Sequence, residues 1–109
     1  MPESFERGAL TEATYLILLA LTTPMHGYGV MQTISDMTNA RVVLGAGTLY
    51  GALNLLLEKQ WIAVTPQSAG GRKKEYTLTQ SGKAAIYQEM QRLEELTRLG
   101  KQYMGGETV

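Results

Sequence analysis

The sequence predicts a mostly helical α+β fold in which three amphipathic helices precede a β-hairpin and one long helix closes the chain. Three observations point there. Apolar residues recur at helical spacing in three successive stretches, two short alternating stretches flank a glycine-rich turn, and the C-terminal segment carries apolar residues in heptad steps. With 109 residues, 44% of them hydrophobic and 18% charged, the chain has the size and mixture of one compact unit with a modest core. It is short for a cofactor domain joined to a substrate domain.

Leu10, Ala13, Leu16, Ile17, Ala20 and Leu21 mark the first helix by one broad apolar face, and Thr22, Thr23 and Pro24 stop it. A second helix of about three turns starts near Gly27, carries Val30, Met31, Ile34 and Met37, and ends at Asn39. Residues 41–44 form a brief β-branched run. Past the glycines, Leu49, Leu53, Leu56 and Leu57 define a third helix. Its other face shows Thr48, Tyr50, Gly51 and Asn54, short-chained and polar, without the Glu/Lys pairing that usually solvates an exposed helix.

Trp61-Ile62-Ala63-Val64-Thr65 alternates as a half-buried strand does, with Trp61 as a core anchor; the chain turns through residues 66–71, and Tyr76 and Leu78 share one face of a second strand. Thr79 or Ser81 can cap the last helix, whose apolar positions Ile86, Met90, Leu93, Thr97, Gly100 and Met104 advance by alternating fours and threes. Gly100 weakens the helix by about 1 kcal/mol relative to Ala, and Gly105-Gly106 end it. One helix cannot bury both this seam and Leu96, Leu99 and Tyr103 against so small a unit. The expected partner is therefore a second copy, with Leu10, Ile86, Met90, Leu93, Leu96, Thr97 and Met104 at the interface.

The glycines after the β-branched run admit two readings. Gly45-Ala46-Gly47 resembles the turn that cradles a dinucleotide pyrophosphate, but that fingerprint needs a third glycine where Tyr50 stands and an acidic residue about 20 positions on, where Thr65, Pro66 and Gln67 lie. The following strand also leads to a hairpin instead of a crossover helix. The competing reading uses element order: three helices followed by a hairpin form a winged helix-turn-helix, whose third helix enters the major groove. Small residues at 45–47 then let the helix N-terminus approach a phosphate.

Charge distribution agrees with the second reading. Ten basic and ten acidic residues cancel overall, yet between positions 41 and 74 the bases Arg41, Lys59, Arg72, Lys73 and Lys74 face only Glu58. Three of those cations sit at the hairpin tip, where each can neutralise a phosphate, although an isolated cationic loop is more often a solvated turn. Catalysis finds no foothold. There is no cysteine, no His/carboxylate cluster at metal-ligand spacing and no nucleophile elbow, so neither an enzyme nor a cofactor is expected. The longest nearly apolar run, residues 15–21, falls short of the roughly 20 residues of a membrane span, and Glu3, Glu6 and Glu12 do not suit a secretory leader. A soluble, cytoplasmic protein, nucleoid-associated through DNA, is expected.

Pro24-Met25-His26-Gly27-Tyr28, Gly47-Thr48-Leu49-Tyr50 with Leu53 and Leu56, Gly71-Arg72-Lys73-Lys74, and Tyr76-Thr77-Leu78-Thr79 with Gly82 together resemble the PadR family of bacterial transcriptional regulators. The single last helix is similar to that of its smaller subgroup, which dimerises through that helix. The resemblance implies a winged helix-turn-helix domain over 1–79, a dimerisation helix over 80–109, and a dimeric repressor released from operator DNA by a small aromatic or drug-like ligand or another signal. The operator is expected to be an inverted repeat. Three positions depart from the family pattern: Gly45 at the start of the third helix, Gln60 where a glycine usually follows it, and Glu75 after the wing cations. The stretch matching the subgroup's ligand platform, residues 90–96, has no aromatic residue, so Met90 and Leu93 read as dimer core.

The expected DNA contacts are thus Gly45, Ala46, Gly47, Thr48, Tyr50 and Asn54 on the third helix, Tyr28 on the second, and Arg72, Lys73 and Lys74 on the wing. Plainer readings stand beside several of them. Tyr50 donates to phosphate or packs on its helix, and Tyr28 divides evenly between the two. Thr48 and Asn54 face outward with base edges in reach, and Asn pairs bidentately with adenine. His26 is a pH-sensitive group or a structural hydrogen bonder in a turn, the latter being commoner. A winged helix that binds protein and not DNA is the alternative function, favoured mildly by the zero net charge and Glu75.

Overall fold

The computed structural model describes residues 8–71 and 73–105; Arg72 of the expected contacts lies outside the described residues. The chain runs α1 (Glu12–Ala20), β1 (Met25–His26), α2 (Gly27–Met37), α3 (Ala46–Glu58), β2 (Ile62–Val64), a 3₁₀ turn (Pro66–Ser68), β3 (Glu75–Leu78) and α4 (Gln80–Tyr103). Leu16, Ile17, Leu18, Leu21, Val30, Ile34, Leu49, Leu53, Leu56, Ile62, Tyr76 and Ile86 form one buried cluster. The three expected helices supply most of it.

Each helix begins and ends for a local reason. Thr11 caps α1, its hydroxyl accepting from the Thr14 N–H at 3.1 Å. After α2, Asn39 and Ala40 adopt φ of 52° and 64°, which reverses the chain, and Thr38 bridges the reversal by donating to the Ile34 carbonyl and accepting from the Val42 N–H. The β-branched run that follows is irregular and belongs to no strand. Gly45 caps α3 without a side-chain bond, and Gln60 ends it at a φ of 63°, the left-handed geometry that glycine adopts more readily.

The sheet has three strands where the sequence shows two. The order is β1-β3-β2, all antiparallel, with Met25 opposite Tyr76, His26 opposite Glu75, and Ile62, Ala63 and Val64 opposite Leu78, Thr77 and Tyr76. Two residues carry no alternation, so β1 exists only because β3 offers it a partner edge. Between β2 and β3 the wing is fastened at its base. The Thr65 N–H donates to the Glu75 carbonyl at 2.8 Å and the Glu75 N–H to Ser68 Oγ at 2.8 Å.

Thr79 caps α4, accepting from the Gly82 N–H at 3.1 Å while its own hydroxyl donates to the Gln60 carbonyl at 2.7 Å. The first turn lies against the chain entering β2 so closely that a Cβ on Gly82 would overlap the Trp61 carbonyl oxygen and Leu78. Gly82, Ala85, Ile86 and Glu89 are the buried residues of α4, and they all lie in its first half. Ile86, expected at the dimer seam, is instead part of the chain's own core, because the first turns of α4 pack against α1 and β3. The apolar steps continue past it, but the surface they meet changes from core to solvent. Met90, Leu93, Leu96 and Met104 are exposed at 38%, 37%, 50% and 60%, and Thr97 is exposed beside them.

Glu89 sits at this changeover, 4% exposed. Its carboxylate accepts from Arg92 Nε at 3.0 Å and from the Leu10 N–H at 3.4 Å, tying the approach to α1 onto α4. The Arg92 guanidinium holds the Glu89 carboxyl below the usual carboxylate range, against the opposing effect of burial. Leu10 itself is half-buried against the core. Met104 and then Gly105, at φ 74°, close the helix; Gly106 lies outside the described residues.

Candidate nucleic-acid interface

Leu49, Leu53 and Leu56 face the core, which turns Gly45, Ala46, Gly47, Thr48, Gly51 and Asn54 to solvent along the first part of α3. A Cβ at Gly45, Gly47 or Gly51 would meet nothing within 4 Å, so this face is low and unobstructed. No side chain caps α3, and the N–H groups of its first turn have no intrahelical acceptor. The helix therefore presents partial positive charge behind a smooth surface.

Tyr50 leaves this face sideways. Its ring crosses to the start of α2, where the hydroxyl lies against Gly27, and a Cβ on Gly27 would overlap that oxygen. The residue remains 43% exposed, so packing and an outward hydroxyl edge coexist. Tyr28, 66% exposed, accepts a hydrogen bond from Gln32 Nε2 at 2.8 Å one turn along α2. Tyr76 on the central strand is buried behind them, and burial, with a smaller contribution from Tyr50, pushes its phenol up.

The wing reaches the same place from the opposite side. Lys73 and Lys74 are exposed, and the Lys74 carbonyl accepts from His26 Nδ1 at 3.2 Å, a contact that requires the proton on Nδ1 in the neutral ring. His26 thus acts as the hydrogen bonder that pins the wing to β1. Glu75, the departure from the family pattern after the wing cations, is half-buried, and its carboxylate accepts from the Thr65 hydroxyl at 2.9 Å at the wing base. Between wing and α2 lies a cleft of about 570 Å³ lined by Met25, Tyr28, Tyr50, Lys73, Lys74 and Tyr76 among others.

The fold thus brings Tyr28, Tyr50, Lys73 and Lys74 around one cleft beside the exposed face of α3 that carries Gly45, Ala46, Gly47, Thr48 and Asn54. Sequence reasoning placed Gly51 on the outward face of α3, where it lies, but missed Met25 and Tyr76 as cleft walls and gave His26, read as a hydrogen bonder in a turn, no partner on the wing. Their only signal was membership of the stretches Pro24-Met25-His26-Gly27-Tyr28 and Tyr76-Thr77-Leu78-Thr79. Among the described residues no group of three or more His, Asp and Glu is placed to hold a metal ion, and no helix is long and apolar enough to cross a membrane.

Three helices and an antiparallel sheet whose cationic loop flanks the third helix define a winged helix-turn-helix. Residues 16–88 match the transcriptional regulator PadR-like family. The chain belongs to that family, whose members are transcriptional regulators and not enzymes. A PadR-family transcription regulator of Clostridium difficile is similar at 27% identity and a TM-score of 0.69, over 87% of this chain and 100% of that one. PadR of Bacillus subtilis, solved in complex with operator DNA, is 26% identical with a TM-score of 0.58, over 70% of this chain and 45% of that one. A 37.1 kDa protein in transposon TN4556 of Streptomyces fradiae, described as uncharacterised, is 38% identical over 79 residues. These are 72% of this chain and only 22% of that protein's length.

Proposed function

We propose that this chain is a sequence-specific, double-stranded-DNA-binding transcriptional regulator acting as a homodimeric repressor under the control of a small ligand or another signal. The observation that carries the reading is the convergence of the unobstructed N-terminal face of α3 with the wing cations on one side of the molecule. In this reading α3 enters the major groove, Thr48 and Asn54 meet base edges, and Lys73, Lys74 and the Tyr50 hydroxyl meet phosphate. The B. subtilis relative's complex with operator DNA supports the assignment.

The exposed half of α4 pairs with a second copy through Met90, Leu93, Leu96, Thr97 and Met104, with Leu10 at the margin of the contact. Two α3 helices related by a dyad then read an inverted repeat with half-site centres about one helical turn, roughly 34 Å, apart. Such a protein acts where the DNA is, in the cytoplasm. The test is fluorescence anisotropy against the duplex upstream of the chain's own gene and a scrambled duplex, from low to moderate salt. Preference for the native duplex, with affinity falling steeply as salt rises, is the expected result. Equal or absent binding by a protein shown to be dimeric refutes the assignment.

A further inference from the structure

We propose that the cleft between the wing and α2 is a ligand site for a small planar aromatic phosphate, and that an occupied cleft excludes DNA from the wing. The competition rests on the function proposed above; the binding itself does not. The cleft's volume of about 570 Å³ falls within the roughly 300–1,000 Å³ of small-molecule pockets. Its composition is that of an aryl-anion site. Tyr28, Tyr50 and Tyr76 line it from three different elements, Met25 adds a polarisable thioether, and Lys73 and Lys74 line it from the wing.

Charge selects the anion. Neither lysine pairs with a carboxylate among the described residues, whose ion pairs are Arg41–Glu12 and Arg92–Glu89. Glu75 borders the cleft, but its carboxylate is engaged by Thr65 at the wing base. Two adjacent ammonium groups match a phosphate dianion better than a single carboxylate charge, since each is a compact point charge with three donors. The exposed Tyr28 ring offers the stacking surface that a bare phosphate does not use. A second groove is poor by comparison. The groove along α4 at Leu93, Glu94, Thr97, Arg98 and Lys101 contains no aromatic side chain.

The wing is also placed to convert occupancy into lost DNA binding. His26 bonds the Lys74 carbonyl and so holds the wing backbone beside the cleft, and the ammonium groups that would meet a ligand phosphate are the same ones assigned above to the DNA backbone, so the two phosphates compete for them. One chemistry, phosphate beside a ring, has two sources here: a free nucleotide-like effector, or DNA itself.

His26 is the only histidine, and its ring borders the cleft, so its imidazole resonances report occupancy without ambiguity. The experiment titrates the full chain with adenosine 5′-monophosphate and, separately, with inorganic phosphate, following those resonances. Saturable shifts with the nucleotide at least about tenfold tighter than phosphate are expected, a ratio that stacking of one base supplies. Tyr28→Ala should reduce the nucleotide to the level of phosphate, and Lys73→Glu with Lys74→Glu should abolish both; the variants' amide spectra verify that they fold. In a parallel anisotropy titration the nucleotide should release bound duplex.

Equal affinity for nucleotide and phosphate would mean that the cleft reads only a phosphate, as DNA supplies it, and would overturn the effector site. Unmoved resonances overturn it too, even if the duplex binds normally. Resonances that shift while duplex stays bound would overturn the exclusion. Failure of the duplex to bind at all would strike the function proposed above and leave the His26 titration to stand or fall alone.

Discussion

Two glycines, Gly27 and Gly82, both leave no room for a Cβ, yet they should respond to alanine in opposite ways. At Gly27 the obstacle is the hydroxyl end of Tyr50, a side chain already 43% exposed that can rotate toward solvent. Rotation uncovers at most about half of a ring that buries roughly 150–250 Å², so the loss is at most about 2–3 kcal/mol. Alanine at the first position of α2 returns up to about 1 kcal/mol of helix propensity and chain entropy. At Gly82 the obstacle is the Trp61 carbonyl, a backbone atom that also accepts from the Thr79 N–H. Relief requires α4 to move off the sheet, and overpacking of this kind costs about 1–3 kcal/mol or more. Because a side-chain end can give way and a backbone carbonyl cannot, urea denaturation should rank Gly82→Ala below Gly27→Ala. Gly27→Ala should nonetheless weaken duplex binding, because the Tyr50 hydroxyl leaves its place beside the wing. In a Tyr50→Ala background the same substitution should leave affinity unchanged. Equal loss of affinity in both backgrounds, or a Gly27→Ala protein less stable than Gly82→Ala, would refute the reasoning.

Reversing both wing lysines, Lys73→Glu with Lys74→Glu, should lower the slope of log affinity against log salt by about 0.9 for each phosphate the wing no longer neutralises, as followed by anisotropy across a salt series; an unchanged slope places the wing away from the backbone. Leu93→Asp with Leu96→Asp changes two exposed positions, so each chain's own stability should shift by no more than about 0.5 kcal/mol per site, while sedimentation changes from dimer to monomer. Glu89→Gln should flatten the acid limb of thermal stability. Because the carboxyl titrates below its ordinary range when folded, its contribution is present at neutral pH and is lost as pH falls through that folded value, so the wild type should lose more melting temperature between about pH 5 and pH 3 than the variant. Thr79→Ala removes the cap of α4 and should destabilise by about 1 kcal/mol in chemical denaturation, leaving the oligomeric state unchanged.

The helices were legible because each is fixed by features within its own length. Leu49, Leu53 and Leu56 specify the buried face of α3, and Thr79 starts α4, with no reference to the rest of the chain. The same local logic exposed the candidate site, since an apolar stripe on one side of α3 leaves Thr48 and Asn54 on the other. The departures at Gly45 and Gln60 were legible too: Gln60 does adopt the left-handed geometry that the position demands.

What could not be read was whatever depends on residues distant in sequence. β1 has two residues and no period of its own, and its pairing with β3 spans the whole of α2 and α3. Ile86 and Met90 continue one heptad rhythm, yet the first is covered by α1 and the sheet and the second is not, because a repeat states which residues share a face and not where the neighbouring elements stop. Nothing within α4 marks Glu89 as buried; the backbone N–H that it accepts comes from Leu10, ahead of α1. By itself the sequence determined the order of the four helices and the two hairpin strands, the cap of α4, and which side of α3 is open, all consequences of short-range periodicity and capping. Only the tertiary structure decided that Tyr28, Tyr50, Tyr76 and the wing lysines enclose a common cleft. Their approach depends on a missing Cβ at Gly27 and one hydrogen bond from His26, features whose partners are remote in sequence.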